Sequence, residues 1–579
     1  MNDLRVFFAS FLFCSAAVMA CAAPPNVILI MTDDQGYGDF GITGNPVIST
    51  PNLDSMAQRG VWMKTFYVSP VCSPTRASLM TGRYNYRTRV VDTFVGRSMM
   101  DPDEVTLAEV LRGAGYTTGI FGKWHLGDNY PLRAMDQGFD ESFVLRGGGL
   151  AQPSDVHGNN KRYTNPMLVH NGVAELASGY CTDAFFNAAI EWIKNSRASG
   201  KPFFAYITPN APHDPLHDVP EDLRMRYAER DMAQLMVQPS GQPRHGPDDA
   251  LARIAAMITN IDNNVRWLLK ALDAEGLSEN TLVIYLNDNG PATMRYAGPF
   301  RGMKSEVREG GVRSPLWMLW PGKLKAGYTR EEAVAHIDLM PTILEACGVP
   351  LPEGVKLDGR SFWRLATGES DEWPTRPLVI QTHRGDVPAR RHHFMIRKDS
   401  WKLVHASGFG RENFTGEPKF ELYNLANDLG ETNNLASAQP DVVAHLLSAY
   451  DAWFDDVSRT RPDNYAPPRI HIGTPHENPV TLTRQDWRGG TWAEDAIGWW
   501  LINAEAGQYE IKVRCTPKNT AGVVEVHVSE ISAQQFIDAG AETCVIESID
   551  LPQGDAEFHA VIRHGDTTRG VYQLEVRRK

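Results

Sequence analysis

The sequence predicts an α/β protein: a central mostly parallel sheet flanked by helices, a smaller C-terminal α+β subdomain, and an added C-terminal β-sandwich-like domain. Three observations carry this expectation. Short apolar, β-branched runs such as 26–32 and 281–286 read as strands buried on both faces. Between such runs lie amphipathic helices, shown by Ile254, Met257, Ile258, Ile261, Val265, Leu268, Leu269 and Leu272 at helical spacing. Past the proline-rich stretch 461–468, which reads as a linker, the pattern turns to alternation, as in 509–513, 523–528, 544–549 and 571–576. A length of 579 residues exceeds one small core and is consistent with several domains.

Taken in order, the chain opens with Arg5, an apolar run from Val6 to Ala20 and small residues around Cys21, the pattern of a signal peptide over residues 1–24. Val18-Met19-Ala20-Cys21 also approaches a lipoprotein box, which leaves anchoring at Cys21 as the alternative. No later run is long and apolar enough for a transmembrane helix. The strand at 26–32 ends in Asp33 and Asp34, and that at 281–286 ends in Asn287, Asp288 and Asn289. Open α/β sheets place ligands at such C-terminal strand ends. Three carboxylates and a carboxamide suit a hard cation, although Asp-Asp after a strand also serves as a turn or helix cap.

Cys72-Ser73-Pro74-Thr75-Arg76 precedes a short helix in which Pro74 reads as the first residue and Gly82 as the left-handed stop. Cys72 would then lie just outside a helix N-terminus, where an anion is favoured and a thiol pKa is lowered; a small buried cysteine is the plain alternative. Arg76 is placed to grip an oxyanion. The run 116–121 leads to Lys123 and His125, two apart and on one side of an extended chain. The run 202–207 leads to His213, held between prolines, and His217 reads as a surface residue. In the helix near 260, Asp262 and Asn263 are expected on the wet face. Lys304 follows Phe300-Arg301-Gly302-Met303, Glu309 and Arg313 are expected to pair, and Asp338 is expected to cap a helix.

Cys72-Ser73-Pro74-Thr75-Arg76 with its Leu79-Met80-Thr81-Gly82 tail resembles the signature of the type I, formylglycine-dependent sulfatases, arylsulfatase-like members of the alkaline-phosphatase superfamily. Gly122-Lys123-Trp124-His125-Leu126-Gly127 is a second such signature, and 420–425 with 431–435 matches the family's close. The resemblance covers roughly residues 25–460 and implies the alkaline-phosphatase-like fold, with residues 25–370 as the catalytic domain, 371–460 as its C-terminal subdomain and 461–579 as a β-rich accessory domain. It implies that Cys72 is converted to formylglycine, whose geminal diol is the nucleophile. It also implies that Asp33, Asp34, Asp288, Asn289 and the modified Cys72 surround one divalent ion, Ca²⁺ before Mg²⁺. Arg76, Lys123, His125, His213 and Lys304 would complete the catalytic set.

The expected reaction is hydrolysis of a sulfate monoester of a carbohydrate, in the periplasm or outside the cell, after maturation by a formylglycine-generating or anaerobic sulfatase-maturating enzyme. A phosphate or phosphonate ester hydrolase of the same superfamily and an inactive polysaccharide-binding homologue are the alternatives. A formal charge of −13 argues against a nucleic-acid partner. It also requires local cations for an anionic substrate, for which Arg390, Arg391, His392, His393, Arg397 and Lys398 are one candidate cluster. Residues 84–100 and 146–172 are expected on the leaving-group side, Cys515 and Cys544 are open to disulfide pairing, and Trp487, Trp492, Trp499 and Trp500 are expected mainly in a core.

Overall fold

The computed structural model describes residues 23–159, 161–236 and 248–579. The expected signal segment falls almost wholly outside these, as does Cys21. A ten-stranded sheet runs in the order Tyr328–Arg330, Val61–Met63, Leu316–Leu319, Thr281–Asn287, Asn26–Thr32, Phe203–Thr208, Thr117–Lys123, Glu141–Leu145, Met167–His170 and Val173–Leu176. The five strands from Thr281–Asn287 to Glu141–Leu145 are mutually parallel, so their C-terminal ends share one edge. Their residues are almost all buried, because helices cover both faces.

The helix Asp248–Ala274 lies on one face through Met257, Ile261, Val265, Leu268 and Leu272. Asp262 departs from the expected wet face. It is buried, and its carboxylate accepts the N–H groups of Asn52 and Leu53 at 3.0 and 2.8 Å, stabilising the start of the helix Pro51–Arg59. Asp338 does occupy the N-cap position of Leu339–Cys347, but its carboxylate turns away from that helix. It accepts from the backbone N–H groups of Ala335 and Arg360 at 2.8 and 2.9 Å.

A four-stranded antiparallel sheet follows, Leu378–Gln381, Phe394–Lys398, Trp401–His405 and Glu421–Asn424, backed by the helix Pro440–Val457. The side chains of the cationic cluster beside it have partners within the fold. Arg390 and Arg391 pair with Asp451, His392 joins Ser407 and the Arg411 carbonyl, His393 joins the Ser305 carbonyl, Arg397 donates to Tyr67 and Lys398 to His445.

Beyond residue 461 two sheets face each other, antiparallel except that Ile470–Ile472 pairs parallel with Trp499–Ala504. One contains Ile470–Ile472, Trp499–Ala504, Gly554–His564, Gly522–Val528 and Ile531–Ile537, and the other Val480–Thr483, Gln573–Arg578, Gly507–Arg514 and Thr543–Leu551. Alternate residues of Gly507–Arg514 point into the shared core with Trp487 and Trp500, both fully buried. Cys515 and Cys544 are free thiols there. The stretch 461–468 is not a loose linker: Arg461 pairs with Asp101 and Glu104, and Asp463 with Arg89. Val95, Met99 and Leu132 of the preceding domain enter the same apolar core. Among the described residues no helix is long and apolar enough to cross a membrane.

Candidate active site at the strand ends

Thr32 and Asn287 end adjacent parallel strands in register, so Asp33-Asp34 and Asp288-Asn289 emerge side by side. Asp34 holds φ at 61°, a left-handed conformation that non-glycine residues rarely adopt outside functional turns. Its N–H donates to Asp288 Oδ1 at 3.3 Å, and Asn289 Nδ2 donates to Asp34 Oδ1 at 2.8 Å. Asp33 Oδ1 and Asn289 Oδ1 are buried without any hydrogen-bond partner. Ligand atoms of Asp33, Cys72 and Asp288 lie within 4.8 Å of one another, as do those of Asp33, Asp34 and His213. An unpartnered oxygen in a buried, acidic site costs desolvation energy unless a cation or donor meets it, so these residues fit a hard divalent ion.

The helix Cys72–Thr81 starts at Cys72 itself, with extended Val71 before it and Gly82 at φ 66° as the left-handed stop. Pro74 is thus its third residue, and Cys72 belongs to the first turn. Every residue of this helix is buried. Burial pushes the Cys72 thiol up, and Lys123 and Lys304 do not overcome it. The direction is opposite to the expected lowering because burial, joined by the charges of Asp33 and Asp288, disfavours the thiolate. Arg76, also buried, donates to Asp288 Oδ2 at 2.8 Å and to the Lys123 carbonyl at 2.7 Å. These two bonds tie Asp288 to the end of the Lys123 strand, and the Arg76 Nε donor is buried without a partner.

Lys123 Nζ lies 2.5 Å from Asp33 Oδ2, and Lys304 Nζ lies 2.6 Å from Asp34 Oδ1. Burial works against the Asp33 carboxylate, but Lys123, His213 and Arg76 hold it well below the usual range. Asp288 is pushed up to about 6 by burial and by the charge of Asp33. His125 takes φ 61°, so the extended-chain argument does not place it. It nevertheless reaches the same centre, with Nδ1 at 3.4 Å from Cys72 Sγ. Its Nε2 is 2.9 Å from the Thr93 carbonyl, which can only accept, so Nε2 carries the hydrogen and Nδ1 offers its lone pair to Cys72.

Burial drives the His125 pKa well below its ordinary value, reinforced by Lys123 and Arg76. His213 goes the other way. Burial opposes its charge, yet Asp34, 3.7 Å from Nε2, raises its pKa, and Asp214 holds Nδ1 at 2.8 Å. Two histidines pushed apart in this way suit a base and an acid. The side chains of His213 and Lys304 keep 10% and 19% exposure while Asp33 and Lys123 keep none, so the site opens past them.

From the two stretches expected on the leaving-group side, 146–154 meets the site, and 84–100 reaches it through the Thr93 carbonyl beside His125. A Cβ on Gly148 would stand 2.5 Å from the His125 ring, so only glycine fits there, and Gly149 lies against His213. In 84–100 the arginines are held in ion pairs: Arg87 with Asp358, Arg89 with Asp101, Arg97 with Asp386. His217 is exposed, and Glu309 pairs with Arg313 at 2.8 Å. Sequence reasoning missed Arg295, which is locked to Asp39 and donates to the Asp34 carbonyl at 2.9 Å. It also missed Tyr163, whose hydroxyl donates to the His213 carbonyl at 2.6 Å, and Thr75, whose hydroxyl donates to the Asp288 carbonyl at 2.7 Å. Arg295 and Tyr163 lie in no motif and Thr75 lies inside the one around Cys72; each is defined by a contact across the fold.

A buried cysteine, an acidic cluster and two lysines thus meet at the C-terminal ends of the parallel strands. Residues 25–349 match the sulfatase family, and residues 303–449 match N-sulphoglucosamine sulphohydrolase, C-terminal. The chain is 33% identical to human (Homo sapiens) arylsulfatase A over 482 residues, which is 76% of this chain and 89% of that protein. It is 32% identical to N-acetylgalactosamine-6-sulfatase of Canis lupus familiaris, over 67% of this chain and 76% of that protein. The solved structure of Ps i-CgsB in complex with k-i-k-neocarrahexaose superposes with a TM-score of 0.64 and 26% identity, covering 76% of this chain and 94% of that one. The phosphonate monoester hydrolase of Agrobacterium radiobacter, at TM-score 0.52 and 21% identity, shares the fold. The chain belongs to the sulfatase family, and its enzymatic class is that of the sulfuric-ester hydrolases.

Proposed function

We propose that this protein removes sulfate from a sulfated carbohydrate, using Cys72 as formylglycine and one Ca²⁺, with Mg²⁺ the weaker fit. The observation that carries the reading is the strand-end cluster: three buried carboxylates and Asn289, with two oxygens left unpartnered, beside Cys72 and three cations. Asp33, Asp34, Asp288, Asn289 and the Cys72 position would hold the metal. When present, the ion supplies positive charge toward sulfate oxygens, and formylglycine supplies a hydrated-aldehyde hydroxyl as nucleophile.

The chain's own groups do the rest. Asp33, Asp34 and Asp288 are matched in number by Lys123, Lys304 and Arg76, so a sulfate entering this buried site needs the further charge of a cation. Lys123 and Lys304 orient the sulfate and Arg76 fixes Asp288. His213, with its raised pKa and its place at the opening, protonates the departing alcohol. His125 takes a proton at Nδ1 from the Cys72 position. Cys72 is 3% exposed, so its maturation enzyme would meet the chain before this helix packs.

Support for a carbohydrate comes from the similar proteins: one is named for N-acetylgalactosamine, and another was solved with a neocarrahexaose. The pattern of residues 1–24 supports a periplasmic or secreted location, with lipoprotein anchoring at Cys21 as the alternative. The deciding experiment compares sulfate and phosphate release from matched esters, then desulfation across defined sulfated mono- and oligosaccharides. Sulfate release should dominate; preference for phosphate or phosphonate would overturn the reading.

A further inference from the structure

We propose that the C-terminal β-rich domain is a working part of the active site, with Gln485 as a positioning residue for His125. This rests on the sulfatase reading above but concerns a residue beyond both family-matched segments, which end at 349 and 449. Gln485 follows the strand Val480–Thr483 and is 1% exposed. Its side-chain Nε2 donates to the Thr93 carbonyl at 2.9 Å and to Ser98 Oγ at 3.0 Å, and stands 3.4 Å from His125 Nε2. The same Thr93 carbonyl accepts from His125 Nε2 at 2.9 Å. One backbone oxygen thus receives two donors, one from the histidine and one from the distant domain.

The stretch around Thr93 is held by that domain at several further points. Gly96 N–H donates to the Gln485 carbonyl at 2.8 Å, and a Cβ at Gly96 would lie 2.7 Å from Pro467. Val95 and Met99 are buried in the apolar core that contains Trp487 and Trp500. The chain 93–99 is therefore as much a part of the C-terminal domain's packing as of the catalytic domain. Since a carbonyl can only accept, placing Thr93 correctly keeps the hydrogen on Nε2 of His125 and the Nδ1 lone pair toward Cys72. Gln485 fixes where that carbonyl sits and does not itself approach Cys72.

The test uses the full chain with Gln485→Met, which keeps the volume and removes both donors, and Gln485→Ala as a second variant. With 4-nitrophenyl sulfate, kcat should fall by about 10- to 100-fold while KM changes by less than about 2-fold. The second readout is the imidazole ¹⁵N spectrum of His125 in protein whose Cys72 is left unmodified. Wild type should show the Nε2–H tautomer, and both variants a mixture of tautomers. Wild type in the Nδ1–H form, a variant spectrum identical to wild type, or an unchanged kcat would each overturn the proposal. If wild type releases no sulfate, the sulfatase reading fails on its own, and the spectra still decide the role of Gln485. Should neither variant fold, Gln485→Asn, which keeps the amide but draws it back from Thr93, is read by the same two measurements and the same outcomes.

Discussion

At the strand ends Asp33, Asp34 and Asp288 face Lys123, Lys304 and Arg76, while nearer the C-terminal subdomain Glu309 and Glu431 face Arg313 and Lys402. Both clusters are removed from water and both match carboxylates with cations. In the second each carboxylate oxygen has a donor or a cation close by, although Glu431 Oε1 meets Lys402 as an ion pair without a hydrogen bond. Glu309 takes Tyr67, Lys402 and Arg313 between 2.8 and 3.1 Å, and Glu431 takes Lys402 at 3.0 Å and the Glu309 N–H at 2.7 Å. The first leaves Asp33 Oδ1 and Asn289 Oδ1 unmet and keeps an opening beside His213 and Lys304. Buried charge alone holds domains together; buried charge with unmatched oxygens and a way in is a site.

The largest expected effect breaks the open cluster at its nucleophile. Cys72→Ala, produced with the maturation machinery present, should lose sulfate-ester turnover by roughly 10⁴-fold or more, measured as released sulfate. Mass analysis of the Cys72 peptide accompanies it, and a plain thiol in active protein would remove the basis for the comparison. Next, stripping divalent ions with a chelator should lower turnover about 100-fold or more, and Ca²⁺ should restore it. Turnover that survives chelation would mean the two oxygens are not a metal's ligands.

The cluster around Glu309 should answer in stability instead. Glu309→Ala leaves Lys402 and Arg313 short of a partner and should cost about 3–5 kcal/mol in urea unfolding. Burial opposes the Glu309 charge, yet Lys402 and Arg313 hold its pKa at about 2 against an ordinary 4.5. Because the folded value is the lower one, this stabilisation is complete above the ordinary value and is lost as pH falls toward 2. The wild-type minus Glu309→Gln difference in unfolding midpoint should therefore shrink across that acid window; a constant difference would contradict the role given to Glu309. The smallest effect belongs to the surface cluster. Arg390→Ala should change stability by about 0–1 kcal/mol and leave KM for a sulfated sugar unaltered, whereas a marked rise in KM would return Arg390 to the substrate.

Much of the strand-end chemistry was legible in the sequence because its local patterns are strict. A two-face-buried strand must be apolar until it leaves the sheet, so the first polar residues past Thr32 and Asn287 stand out. Asp262 was misplaced because helical periodicity shows which residues face one core and not which second element, here the start of Pro51–Arg59, packs on the other side. The contact between Arg76 and Asp288 was not legible, because Asp288 is 212 residues away.

By itself the sequence determined the parallel α/β scaffold, the β-rich C-terminal pattern and the residues that end the key strands, since burial periodicity and motif spacing act over a few residues. Tertiary structure decided which oxygens are left without a partner, which histidine's pKa is lowered and which raised, and that residue 485 stands behind residue 125. Those outcomes depend on desolvation and on contacts between segments hundreds of residues apart, and neither is carried by any local stretch of the chain.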